Sequence, residues 1–195
     1  MRSIPENAIS IVKPKFIRKS MRLALLVAND NDSCPARKVG TIITDRDGLL
    51  VSCGYNSPPR NLPHCGEKWY IDNVLFPRLS KEEQDKFTEL SKNLRCSEIC
   101  PRKVLGLKSG ERSELCSCAH SEKNSIVHAK RSLDGCILFC SCPNLSCQDC
   151  TSMIINSGIA ECHFIEGEEY HKGCILQYEK VGIPVFLHNE DSFSL

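Results

Sequence analysis

The sequence contains few aromatic residues, almost no net charge and no long apolar run. Aromatic residues make up 6% of its 195 residues, which is little for a protein that stacks single-stranded nucleic acid on exposed rings. The 25 Lys and Arg are balanced by 24 Asp and Glu, so the net charge is +1 and no overall positive field attracts a polynucleotide or an anionic membrane. The longest apolar run, over 23–28, is far shorter than the roughly 20 residues of a membrane-spanning helix. We therefore expect a soluble protein with no membrane partner.

Cysteine, by contrast, is abundant, with 14 residues in the chain. The segment 1–16 lacks the continuous apolar core of a secretory signal, so we expect a cytoplasmic protein, in the host cytoplasm if the source is viral, whose thiols stay reduced. So many thiols in a reducing compartment indicate metal binding rather than disulfides. Nine of the 14 lie within 96–150, and we expect this part of the chain to carry the chemistry.

The hydrophobic pattern predicts an α/β fold. Apolar residues recur at helical steps over 15–28, and two apolar segments over 39–44 and 49–54 flank a turn at Gly48, as in a hairpin. Further helices are predicted over 120–130, 150–158 and 172–182, alternating with strands over 136–141, 161–165 and 183–187. Because strands separated by a helix run parallel, whereas hairpin strands are antiparallel, we predict a mixed five-stranded sheet with helices on both faces, a three-layer α/β/α arrangement.

A long polar segment separates the hairpin from these alternating elements. We predict one domain over 1–195 with an insertion at about 57–118. A helix inside the insertion is indicated by the capping pair Ser80 and Glu83, and its expected buried stripe is Phe87, Leu90 and Leu94.

The candidate catalytic residues begin two successive predicted helices. His120 precedes one helix, and Cys147 and Cys150 begin the next. One His and a Cys-x-x-Cys pair offer three ligands for tetrahedral Zn²⁺, which leaves a fourth position for water. Glu122 can then face that water without binding the metal, as a general acid and base in hydrolysis. The alternatives are a closed structural zinc or buried inert thiols, but a Glu two residues past a lone His has no use in a closed site.

The chain resembles the zinc-dependent cytidine/deoxycytidylate deaminases, most of all the phage and bacterial dCMP deaminases, in CPARKVGTIITDRDGLLVSCGYN, CPRKVLGLKSGERSELCSCAHSEKNSI and GCILFCSCPNLSCQDCTSMIINSGI. An H-x-E motif followed by C-x-x-C is specific to zinc deaminases. The resemblance implies a cytidine-deaminase-like fold and hydrolysis of dCMP to dUMP, the precursor for thymidylate synthesis, and ammonia. It assigns the catalytic zinc to His120, Cys147 and Cys150 and proton transfer to Glu122. It further implies a homo-oligomer such as a hexamer.

The resemblance also implies substrate contacts and a second metal. Asn56 would contact the sugar, and the backbone N–H of Ser121 would meet the base carbonyl. Phage members carry a structural zinc, which corresponds here to Cys34, Cys65, Cys100 and Cys116. Three further residues are close enough in sequence to substitute as ligands, namely His64, Cys96 and Cys118. The alternative is that these cysteines are scattered small core residues.

The sequence departs from the family pattern at four positions. Ser121 stands where the family has Ala between His and Glu, and Ser146 stands where it has Pro before the first Cys. Ser57 and Asn61 replace glycines of the members that dCTP activates. We therefore expect no activation by dCTP.

Three classes of function remain open from the sequence. A free-nucleotide deaminase acts on dCMP, or alternatively on dCTP. A polynucleotide deaminase acts on tRNA or single-stranded DNA, which the neutral charge and scarce aromatics disfavour. A non-catalytic zinc-binding module would have no use for Glu122. A basic stripe on the first predicted helix could contact phosphates, although such a stripe is more often a solvated face, at Lys15, Arg18, Lys19 and Arg22.

Overall fold

Seven helices and five strands make up the regular structure in the part of the chain that the computed structural model describes, residues 9–108, 111–143, 145–167 and 172–193. The predicted domain of 1–195 also includes residues outside these ranges. The strands are β1 (Gly40–Thr44), β2 (Leu50–Tyr55), β3 (Ile137–Cys140), β4 (Glu161–Ile165) and β5 (Val185–His188). The helices are α1 (Pro14–Asn29), α2 (Lys68–Tyr70), α3 (Lys81–Ser91), α4 (Pro101–Val104), α5 (Ser121–His128), α6 (Gln148–Asn156) and α7 (Lys172–Val181).

The chain divides into two compact units. The first takes in the chain up to Asn31, Val39–Tyr55 and the chain from His120 onward, and the second consists of Asp32–Lys38 and Asn56–Ala119. The second unit contains the whole predicted insertion. The description of the chain as one domain stays a prediction.

The first unit is built on one five-stranded sheet. Its strand order is β2-β1-β3-β4-β5. β1 runs antiparallel to both β2 and β3, whereas β3, β4 and β5 are parallel to one another. This arrangement confirms the predicted mixed sheet, with the hairpin at one edge and the crossover strands at the other.

Alternating side chains of the strands form a separate core on each face of the sheet. On one face, Ile42 and Phe139 pack with Met21 of α1. On the other face, Leu138 and Phe164 pack with Ile154 of α6 and Tyr178 of α7, and Ile126 of α5 packs against the same core. The three predicted layers are therefore confirmed, with α1 on one face and α5, α6 and α7 on the other.

The second unit has a small core of its own. Tyr70, Leu75, Phe87 and Leu115 are buried within it. The predicted capping pair of α3 is confirmed, because the backbone N–H of Glu83 donates to Ser80 Oγ at 3.2 Å and the backbone N–H of Ser80 donates to Glu83 Oε2 at 2.9 Å.

The predicted buried stripe of α3 is wrong beyond Phe87. Leu90 is 51% exposed and Leu94 is 40% exposed. α3 ends at Ser91, so Leu94 is no longer on the helix, and the small core of this unit covers only one side chain of the stripe. Among the described residues, no helix is long and apolar enough to cross a bilayer.

Candidate metal centre

The predicted ligands of the catalytic zinc lie together at the first turns of two helices. His120 is the residue before α5, Cys147 is the residue before α6, and Cys150 lies in the first turn of α6. His120 Nδ1 is 3.4 Å from the Sγ atoms of both Cys147 and Cys150. The three ligand atoms all lie within 4.8 Å of one another, so one small cation can contact them all.

An ion pair joins the two helices, and a buried hydroxyl holds the residues that lead into α6. Lys123 Nζ of α5 lies 3.3 Å from Asp149 Oδ2 of α6. Ser146, which stands where the family has Pro, is fully buried, and its Oγ lies 2.7 Å from the Tyr178 hydroxyl and 2.8 Å from Thr151 Oγ1. The serine therefore anchors the approach to Cys147 by hydrogen bonds instead of by a proline ring.

The electrostatics of the cluster favour a thiolate. A hydrogen bond from the Cys150 thiol, reinforced by the His120 ring against the opposing effect of burial, lowers the pKa of Cys147 to about 3. The same hydrogen bond, together with burial, raises the pKa of Cys150, and the contact with Cys147 raises the pKa of His120. The free N–H groups at the start of α6 add their positive field.

This donor set fits Zn²⁺. Two sulfurs and one imidazole nitrogen are the ligands that zinc prefers, and three protein ligands are the number found in catalytic sites. Among the described residues, no other three His, Cys, Asp or Glu side chains bring ligand atoms within 4.8 Å of one another. The zinc-binding expectation for His120, Cys147 and Cys150 is therefore supported by their geometry.

Glu122 lies in the first turn of α5 with its side chain buried, 3% exposed. Its Oε2 accepts a hydrogen bond from Ser121 Oγ at 3.0 Å. Its charge is close enough to the cluster to help raise the pKa values of both His120 and Cys150. A carboxylate so placed can exchange protons beside the metal ligands without being one of them.

The structure places the two predicted substrate contacts in different units. Ser121 belongs to the first unit and is fully buried. Asn56 belongs to the second unit, where its Nδ2 donates to the backbone oxygen of Arg37 at 3.2 Å. Their roles toward a substrate stay predictions.

The second unit collects the thiols that the resemblance assigned to a structural zinc. Cys34, Cys65 and Cys100 are buried and Cys116 is partly buried, and every pair of the four is close enough for the charge on one sulfur to raise the pKa of another. Burial and these neighbours raise the pKa of Cys65 to about 12. Cys118 joins the group, since the neighbouring Cys116 and Cys34 thiols raise the pKa of Cys118.

The other two substitute ligands lie apart from this group. Cys96 is exposed, and the charged neighbour that raises its pKa, after burial, is Glu67 rather than a thiol. His64 Nδ1 lies 3.2 Å from the backbone oxygen of Ser33. Cys118 is therefore the substitute that the structure favours.

Two residues near the metal ligands were missed from the sequence. Thr41 in β1 lies 2.7 Å from Ser121 through their hydroxyl oxygens. Gly54 in β2 lies directly under the first turn of α5. A threonine beside two isoleucines in the short strand GTIIT was the available signal for the first, although Thr44 carries the same signal, whereas nothing local marks the second.

The basic stripe of α1 lines an open groove. The same groove is lined by the carboxylates of Glu190 and Asp191 and by the ring of Phe193, together with Lys15, Arg18, Lys19 and Arg22. The two carboxylates reduce the positive potential that a phosphate would meet. A phosphate-binding role for the stripe stays untested.

Comparison with known proteins identifies the family. The deoxycytidylate deaminase of Saccharomyces cerevisiae is 25% identical over 175 residues, which is 90% of this chain but 45% of the yeast protein, so the chain spans about half the length of this curated relative. The dCMP deaminase of cyanophage S-TIM5 has the same fold, with a TM-score of 0.57 and 20% identity in its complex with dCMP and dUMP over 91% of this chain and 99% of the phage chain. RibD of Acinetobacter baumannii gives a TM-score of 0.51 at 11% identity, over 92% of this chain and 37% of that one. The model of the cytidine and deoxycytidylate deaminase zinc-binding region matches residues 14–166, and the chain therefore belongs to this family.

Proposed function

We propose that this protein is a zinc-dependent hydrolase that deaminates dCMP to dUMP and ammonia. The observation that carries the proposal is the convergence of His120 Nδ1 and the sulfurs of Cys147 and Cys150 within 4.8 Å, with the buried carboxylate of Glu122 in the same helix turn as the histidine. A closed structural zinc site needs only its ligands, so the buried carboxylate of Glu122 would have no role in such a site.

The residues divide the chemistry between them. His120, Cys147 and Cys150 would hold Zn²⁺, which would act there as a Lewis acid and make water nucleophilic near neutral pH. Glu122 accepts a proton from the attacking water and delivers it to N3 of the pyrimidine as the oxygen bonds to C4. It then transfers the second proton from that oxygen to the amine. The C4–N bond breaks, ammonia leaves, and the C4 carbonyl of dUMP forms.

The choice of dCMP over other cytosine compounds is supported by relatives. The yeast relative is a deoxycytidylate deaminase, and the phage structure contains dCMP and dUMP. The low net charge of +1 suits a small nucleotide better than a polynucleotide. We also propose, from the resemblance, that the chain works as one domain over 1–195 within a cytoplasmic homo-oligomer such as a hexamer, which light scattering would measure.

A second, structural zinc belongs to the same proposal. Cys34, Cys65, Cys100 and Cys116 would bind it, and the Cys118 thiol is placed to take part. A metal that draws these thiols together would contribute to the folding free energy of a unit with only a small apolar core.

A substrate panel tests the proposed function. Purified protein is incubated with dCMP, dCTP, CMP, deoxycytidine and a cytosine-containing single-stranded DNA, and ammonia release is measured. We expect dCMP to react with the highest kcat/KM, and Glu122→Gln protein to be the matched inactive control. Faster ammonia release from dCTP or from the DNA would show that this compound, and not dCMP, is the substrate. Absence of ammonia release from every compound would contradict an enzymatic role.

A further inference from the structure

A chain of buried hydroxyls ends on the carboxylate of Glu122. Ser121 Oγ donates to Glu122 Oε2 at 3.0 Å, and Thr41 Oγ1 lies 2.7 Å from Ser121 Oγ. Thr41 Oγ1 also donates to Cys140 Sγ at 3.3 Å. Thr41, Ser121 and Cys140 are fully buried, so these contacts are not exchanged freely for water.

The hydroxyl protons give this chain a direction. A hydroxyl has one proton and two acceptor lone pairs. Because the Ser121 proton goes to the carboxylate, the single Thr41 proton is shared between Ser121 Oγ at 2.7 Å and Cys140 Sγ at 3.3 Å, and the oxygen is the stronger acceptor of the two. Ser121 Oγ therefore accepts from Thr41 and donates to the Glu122 carboxyl group, and these two contacts restrict the rotation of the Ser121 hydroxyl.

The first hydroxyl of this row, that of Thr41, belongs to an interior strand of the sheet. Thr41 pairs with Gly54 of β2 on one side and with Cys140 of β3 on the other. Ser121 and Glu122 are the first two residues of α5, where a side chain gains little support from neighbouring turns. The hydroxyl chain thus connects a strand of the sheet to the buried first turn of a short helix.

We propose that Thr41 and Ser121 are positioning residues that hold Oε2 of Glu122 and so leave its Oε1 directed to the substrate for proton transfer. The inference rests on the proposed deamination, and it assigns a role to the serine that replaces the family's alanine. A glutamate side chain has three rotatable bonds, and a small error in its placement is costly for a proton-transfer step. Neither hydroxyl needs to touch the substrate.

The test combines kinetics with crystallography on the zinc-loaded protein. Ser121→Ala, Thr41→Val, the double variant and Thr41→Ser are compared with wild type for kcat, KM and zinc content. We expect Ser121→Ala to lower kcat about tenfold, and Thr41→Val by a smaller factor, with KM and zinc content unchanged. Because Thr41 acts through Ser121, the double variant should be no slower than Ser121→Ala. Thr41→Ser keeps the hydroxyl, and its kcat should equal that of the wild type. In crystals, Ser121→Ala should show the Glu122 side chain in more than one rotamer.

Several results would overturn the proposal. An unchanged kcat with a single Glu122 rotamer in Ser121→Ala would show that the hydroxyl does not position the carboxylate. If the kcat losses of the two single variants multiply in the double variant, Thr41 acts independently of Ser121. A change confined to KM or to zinc content would show that the two residues serve substrate binding or metal binding instead of positioning Glu122. Inactive wild-type protein would contradict the proposed function instead, and the Glu122 rotamers would still decide whether the hydroxyl chain holds the carboxylate.

Discussion

Gly54 and Ser121 approach so closely that any side chain at position 54 would overlap the backbone oxygen of Ser121. The same Cβ would overlap the backbone nitrogen of Ser125. The close packing of β2 against the first turn of α5 therefore depends on glycine. Because this turn carries Glu122 and follows His120, the contact sets the distance between the sheet and the candidate catalytic residues.

We expect Gly54→Ala to displace α5 from the sheet. The cost in unfolding free energy should be about 1–3 kcal/mol, as for overpacking of a buried site, and zinc affinity and kcat should both fall. Gly173→Ala is the matched control, since a Cβ at Gly173 meets nothing within 4 Å and alanine is the better helix former. Chemical denaturation and zinc titration check both variants, and equal behaviour of the two would contradict the packing argument.

Glu122→Gln removes the proton-transfer group without changing its size. Because Glu122 is not a proposed metal ligand, the variant should fold and retain the catalytic zinc, while kcat falls about 10²–10⁴-fold. Elemental analysis and steady-state kinetics measure both. Loss of zinc from the variant would assign the carboxylate to the metal instead.

The metal content distinguishes one zinc site from two. Wild-type protein should contain two zinc ions per chain, and Cys147→Ala and Cys100→Ala should each contain one. Cys96→Ala serves as the control and should retain both, since Cys96 is exposed and its charged neighbour is a carboxylate. A single ion in the wild type would eliminate the structural site, and loss of one ion from Cys118→Ala would add that thiol to its ligands.

Stability should also depend on pH through His188. Burial, together with the neighbouring His163, lowers the pKa of His188 from 6.5 to about 4, although Glu161 opposes the shift. As the pH falls from about 6.5 towards 4, the His188 ring of the unfolded chain therefore takes up a proton that the ring of the folded chain does not bind. The folded state loses stability as the pH falls through this window, and it loses no stability above the window. The loss is about 1–3 kcal/mol by linkage. In urea unfolding at pH 7 and pH 5, His188→Gln should reduce the dependence and the exposed His128→Gln should leave it unchanged.

Local patterns in the sequence predicted the sheet and its helices, because each of these depends on residues close together in the chain, and motif spacing predicted the candidate metal ligands. His120 and the Cys147/Cys150 pair are recognised by spacing alone. The contact of Thr41 with Ser121 joins residues 80 positions apart, and no periodicity encodes such a pair. The exposure of Leu90 had a similar origin, because the pattern identifies an apolar face but not whether the rest of its unit is large enough to cover it.

The final prediction is that dCTP does not activate the protein. In the structure, this expectation depends on Ser57 and no longer on Asn61. Asn61 has a φ of +66°, so it already adopts the left-handed conformation that a glycine would supply there, and asparagine tolerates it well. Ser57 differs, because its N–H donates to Ala119 O at 3.3 Å and its backbone oxygen accepts from the N–H of Ala119 at 2.8 Å, in an isolated bridge. If activation needs a glycine conformation at position 57, the Cβ of serine adds to the cost of leaving this bridge for that conformation. The rate should then follow a hyperbola in dCMP with or without dCTP, and Ser57→Gly should be the variant that begins to respond, whereas Asn61→Gly should not. Cooperative kinetics in the wild type that dCTP converts to a hyperbola would show that the activator needs neither glycine.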